Sequence, residues 1–111
     1  MAPPTPLAIK TSAVSRMIKE ESMYHKELVV EQKRLEKMEA DTENCDEYAI
    51  TQQKKVVEET KSVVPAVREK LKAAIEVLEF QLQSAPASEP AENKEKASKA
   101  IEDGKKVLAD E

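Results

Sequence analysis

The chain has 111 residues, 36% of them charged and 3% aromatic, with one glycine and a formal net charge of −4. That length suits one domain, and a single glycine leaves few hairpins or tight loops to build from. Lone Cys45 excludes an internal disulfide, the mixed-sign charges contain no basic block of the kind a nucleic-acid arm needs, and no apolar run approaches a membrane span.

Residues 1–4 read as a flexible N-terminus. Thr5 can open a helix with Pro6 at its first position, where the missing N–H costs nothing; Ser12 is a competing cap. Leu7 to Ile9 gives way at once to Lys10, too short a run for a signal-peptide core, so the expected location is cytoplasmic. Helix 1 spans about 6–40, with Val14, Met17, Ile18, Tyr24, Leu28, Leu35 and Met38 on one face. Glu21 and Glu31 interrupt that seven-residue frame. They are expected at a helix edge, snorkelling or paired with Lys or Arg of a neighbour.

The acidic loop 41–47 follows, with Thr42, Asn44 and Asp46 as turn or cap formers and Asp46 placed to cap the next helix. Helix 2 spans about 47–83 and is the longest run that keeps one spacing. Ile50, Val57, Val64, Leu71 and Leu78 recur every seven residues, with Val67, Ala74 and Leu82 beside them. Such a stripe cannot stand alone in water. Pro65 lies inside it and deprives the Lys61 carbonyl of its helical partner. Because the frame stays in phase across Pro65, one kinked helix is favoured over two. Tyr24 and Tyr48 are expected to pack at the seam.

Ser84 to Ser88, with Pro86 and Pro90, forms a second linker, and Ser88 or a neighbour is expected to cap helix 3. Helix 3 covers about 90–109. Its small-residue face is Ala97, Ala100, Ile101, Gly104, Val107 and Leu108, and its outer face carries Glu92–Lys96, Glu95–Lys99 and Glu102–Lys106. Short connections make consecutive helices antiparallel. The expectation is an all-α, up-down-up three-helix bundle over 5–109, left-handed and spectrin-like in its coiled-coil packing, with a proline-kinked long middle helix.

Chemistry is hard to place on this chain. His25 and Cys45 have no third ligand for zinc and no group to orient a base. The carboxylates are spread over helical surfaces, and one glycine cannot supply a phosphate-cradling loop. No cofactor, metal or catalytic residue is expected, and a binding role toward another macromolecule is.

Several segments, taken in order, resemble the tubulin-folding cofactor A family, also called tubulin-specific chaperone A. In helix 1 they are Ile9-Lys10-Thr11, Val14-x-Arg16, Lys19-Glu20, Met23-Tyr24-x-Lys26-Glu27 and Glu36-Lys37-Met38, followed by Glu43-Asn44 in the loop. In helix 2 they are Tyr48-x-Ile50-x-x-Gln53, Glu59-Thr60-Lys61-Ser62-Val63-Val64-Pro65 and Arg68-x-x-Leu71-x-x-Ala74. The resemblance implies a three-helix, non-enzymatic protein, monomeric or homodimeric. It implies capture of β-tubulin released from the cytosolic chaperonin, followed by hand-over to other tubulin-folding cofactors on the way to the heterodimer and the microtubule cytoskeleton. Because the apolar stripe is used internally, the contact surface is expected to be charged and extended. Its candidates are Lys19, Glu20, Lys26, Glu27 and Arg34 on helix 1, with Glu58, Lys61 and Arg68 on helix 2. A helical scaffold or adaptor for some other macromolecule is the alternative.

Overall fold

The computed structural model describes residues 3–41 and 43–110. Met1 and Ala2 of the expected flexible start, and Thr42 of the first loop, lie outside the described residues. Three helices follow in order: α1 Pro6–Ala40, α2 Glu47–Gln83 and α3 Ala91–Ala109. Together they form an all-α three-helix bundle whose middle helix runs unbroken through Pro65.

Local chemistry sets the helix ends. The Thr5 hydroxyl accepts the Ala8 N–H at 3.2 Å, so Thr5 caps α1 and Pro6 occupies its first position. Asp46 caps α2 by accepting the Ala49 N–H at 2.7 Å. The turn before it closes with the N–H groups of Asn44 and Cys45 on the Asp41 carbonyl. Ser88 does not cap α3. Pro90 stands at that position with no side-chain cap, and a turn from Pro86 to Glu89 leads the chain in.

The contacts gather in two compact units, where one bundle over 5–109 is the sequence expectation. One unit takes the chain up to Glu20 and from Val67 onward; the other is Glu21–Ala66. The division on α2 falls beside Pro65.

The first unit holds three helical segments around one cluster: Leu7 and Val14 of α1, Leu71, Ile75 and Leu78 of α2, and Ala97 and Ala100 of α3. Side chains this small on α3 let its backbone come close to α2. Gly104 extends that approach, since a Cβ there would lie 2.7 Å from Ile75 Cδ1. Lys105 pairs with Glu79 at 3.2 Å across the same two helices, and Glu92–Lys96 and Glu102–Lys106 form along the outside of α3. Exposed pairs of this kind add little, about 0–1 kcal/mol each.

The second unit is the α1–α2 hairpin. Val57 and Val64 of α2 are buried, and Tyr24, Leu28, Leu35 and Met38 of α1 are half-buried. Its seam is partly polar. On α2 Thr60 lies between the valines and Gln53 four residues before Val57, both buried, and Glu21 is only 4% exposed. Both interrupting glutamates have partners within this unit. Glu21 pairs with His25 one turn on. Glu31 takes the Gln53 amide, which donates to its carboxylate at 2.6 Å and to its carbonyl at 3.0 Å.

Tyr48 is a correction. It is 74% exposed and does not pack at the seam. It lies two residues before Ile50, about 200° around a helix from the stripe that Ile50 begins. Tyr24, seven residues before Glu31, is on the seam frame and half-buried.

Candidate partner-binding surface

Among the described residues no group of three or more His, Cys, Asp or Glu side chains is placed to hold a metal ion, and every buried side-chain polar atom has a hydrogen-bond partner. The grooves of the first unit are open and shallow; one runs past Arg68, Lys72, Ile75, Glu79, Lys105 and Leu108. Recognition on such a molecule must use exposed helix faces.

The second unit carries five of the expected surface residues, all exposed: Lys26, Glu27 and Arg34 on α1, Glu58 and Lys61 on α2. Helical spacing sorts them. On α1, Met23, Lys26, Val30, Arg34 and Lys37 share one face, since each follows the last by three or four residues. Met23 is 52% and Val30 61% exposed, so this face combines apolar groups with three cations. On α2, Lys54, Glu58, Lys61 and Pro65 share an exposed face by the same rule. Charge alone therefore does not describe this surface. Val29 and Val56 are also open. The sequence signal for the apolar component is the Val29-Val30 pair, which one helical stripe cannot bury.

The first unit holds the other three. Lys19 and Glu20 are exposed neighbours on α1. Arg68 is half-buried and turned to an internal task. Its Nη2 donates to the Leu108 carbonyl at 2.7 Å and its Nη1 reaches the Asp110 carbonyl at 3.5 Å. It thereby satisfies carbonyls at the C-terminus of α3, where cations are favoured. Val77 and Phe80, three residues apart on α2, are 43% and 65% exposed.

Two further polar positions escape the charge-based reading. Gln53 is 6% exposed and ties the hairpin together through Glu31. Glu89, 8% exposed, accepts from the Thr5 hydroxyl at 2.9 Å and from the Asn93 amide at 2.8 Å. Gln53 is four residues before Val57 and was legible from the frame. Glu89 lies in a linker, where periodicity carries no signal.

A helical molecule with solvated, mixed-character faces and open grooves belongs to the class that acts by binding another macromolecule. Comparison with known proteins makes the class specific. The sequence profile described as tubulin binding cofactor A matches residues 2–101, and the chain belongs to that family. It is 33% identical over 96 residues to tubulin-specific chaperone A of Gallus gallus, covering 86% of this chain and 87% of the relative. It is 34% identical over 104 residues to tubulin-folding cofactor A of Arabidopsis thaliana, covering 94% and 86%. Its fold superposes on the solved structure of Rbl2p, a β-tubulin binding post-chaperonin cofactor, with a TM-score of 0.81 at 30% identity, covering 95% of this chain and 99% of that one.

Proposed function

We propose that this protein captures unassembled β-tubulin, keeps it soluble and passes it to other tubulin-folding cofactors for heterodimer assembly, in the cytoplasm. The observation that carries this reading is the end-to-end match to a β-tubulin binding post-chaperonin cofactor. The physical character of the chain supports it. A tubulin subunit without its partner presents interface that aggregates. A helical protein that binds only that state holds it by mass action, and no nucleotide is required. The contact surface in this reading is the exposed face of Met23, Lys26, Val30 and Arg34, with Glu58 and Lys61. Apolar groups supply burial and the charges on the same faces set register and approach. Arg68 supports α3 rather than touching the partner.

The test is protection from aggregation. β-Tubulin released from chaperonin should stay soluble in the presence of a stoichiometric amount of this protein without added nucleotide. A chain carrying Lys26→Glu and Arg34→Glu should lose that protection while its helical circular dichroism is unchanged. Aggregation at the same rate with and without the protein would leave the adaptor reading.

A further inference from the structure

We propose that Thr5 is a phosphorylation site for a proline-directed protein kinase, and that the phosphate releases the 84–90 linker and the first turn of α3 from the start of α1. The proposal goes beyond the tubulin reading and stands without it.

The sequence at this point is Pro3-Pro4-Thr5-Pro6. A hydroxyl followed directly by proline, with another proline two residues earlier, holds the chain extended. Each ring fixes its own φ and drives the residue before it out of the helical region. That is the shape a kinase cleft specific for proline after the acceptor can read. Pro3, Pro4 and Pro6 are exposed and Thr5 is half-buried, just outside the first helical turn.

The structure gives this hydroxyl a task that phosphorylation would reverse. Thr5 donates its one hydroxyl hydrogen to Glu89 Oε2 at 2.9 Å. Asn93 donates to the same oxygen at 2.8 Å and stands 3.5 Å from Thr5 Oγ1. Glu89 is 8% exposed, so its carboxylate depends on these donors in place of water. This small network links the first residues of α1 to the linker and to α3, whose N-terminus has no side-chain cap of its own.

In the transfer, Thr5 Oγ attacks the γ-phosphorus of a nucleoside triphosphate bound to the kinase. The Oγ–P bond forms, the bond from that phosphorus to the β,γ-bridging oxygen breaks, the hydroxyl proton passes to the kinase base, and the nucleoside diphosphate leaves. Thr5 then has no hydrogen to donate. It carries about −1.5 to −2 charges at pH 7 beside a buried carboxylate. The N-terminus of α1 favours the phosphate, so the phosphate stays and Glu89 gives way. With Glu89 goes the Asn93 clamp on the first turn of α3.

The full-length chain, incubated with a proline-directed kinase and magnesium ATP, should gain one phosphate located at Thr5 by mass spectrometry, and the Thr5→Ala chain should gain none there. Amide hydrogen exchange across residues 84–100 should then accelerate by about tenfold or more. Glu89→Gln should suppress the acceleration, because a neutral amide can donate to the phosphate. Absence of phosphate at Thr5, unchanged exchange in the phosphorylated chain, or equal acceleration in Glu89→Gln would each overturn the proposal. The first two outcomes need no substitution and so do not depend on any variant folding.

Discussion

Gly104 sits in the interior of α3, where replacing glycine by alanine ordinarily stabilises a helix by about 0.8–1 kcal/mol. Here the added methyl group meets a core side chain. An ideal Cβ would stand 2.7 Å from Ile75 Cδ1, 3.1 Å from Ile75 Cγ1 and 3.7 Å from Ile18 Cδ1. Carbon atoms rest about 3.5–4.0 Å apart, so the end of Ile75 must retreat by roughly 1 Å. Ile75 is 3% exposed and belongs to the cluster that holds the first unit. Overpacking of such a site costs about 1–3 kcal/mol, so Gly104→Ala should lower stability by a net ~0–2 kcal/mol. Ile75→Val removes Cδ1, the closest atom, at a cost of about 0.5–1.5 kcal/mol. In that background Gly104→Ala should be neutral or stabilising, leaving a favourable coupling of about 1 kcal/mol or more between the sites. Urea unfolding of the four chains, followed by circular dichroism at the helical minimum, measures the cycle. A Gly104→Ala chain that gains the full helix-propensity increment, with coupling within the ~0.3 kcal/mol expected of independent sites, would refute the close-approach account of this glycine.

Pro65 is exposed, so Pro65→Ala restores the Lys61 hydrogen bond without removing packing. The gain of about 3 kcal/mol for an interior proline is reduced by about 0.4–1 kcal/mol through a freer unfolded chain, and urea unfolding should show a higher midpoint. β-Tubulin capture measured on the same variant should fall if the helix path set by Pro65 fits the partner, and unchanged capture removes Pro65 from the mechanism. Gln53→Ala should destabilise by about 1.5–3 kcal/mol, the range for a hydrogen bond to a charged group. The double replacement Glu31→Leu with Gln53→Leu should recover most of that loss, because both polar partners go together. Arg68→Ala should fray the last turn of α3, seen as faster amide exchange at residues 106–109, while Arg68→Lys restores only part because one ammonium cannot span the carbonyls of Leu108 and Asp110.

Most of the architecture was written in periodicity. In the frame Ile50, Val57, Val64, Leu71, Leu78 every position but the half-buried Ile50 is buried, and the frame carries α2 through Pro65 as one helix. Thr5 and Asp46 were readable as caps because their side chains act on backbone three residues away. What escaped depends on longer-range partners. Ile75 was passed over in favour of Ala74, since a strict seven-residue count ignores the extra step where three helical segments meet. Leu7 lay too near the N-terminus for a repeat to mark it, yet it is 2% exposed. Tyr48 is expected at the seam, although its angular position places it away from the stripe. The charged candidates were exposed apart from Arg68, whose carbonyl partners are 40 and 42 residues away along the chain. The apolar share of the surface is missed where the contact surface is expected to be charged because the stripe is used internally, and Val29 and Val30 lie off that stripe.

The most direct test of the central claim is capture of freshly folded, unassembled β-tubulin by the immobilised full-length chain. α-Tubulin and assembled heterodimer serve as controls, and light scattering on the eluted complex gives the stoichiometry. The account predicts selective retention of β-tubulin in a complex of defined stoichiometry, without nucleotide. Retention of none of the three by a chain verified as helical and folded would contradict it, and the family membership would then describe the fold and not the activity.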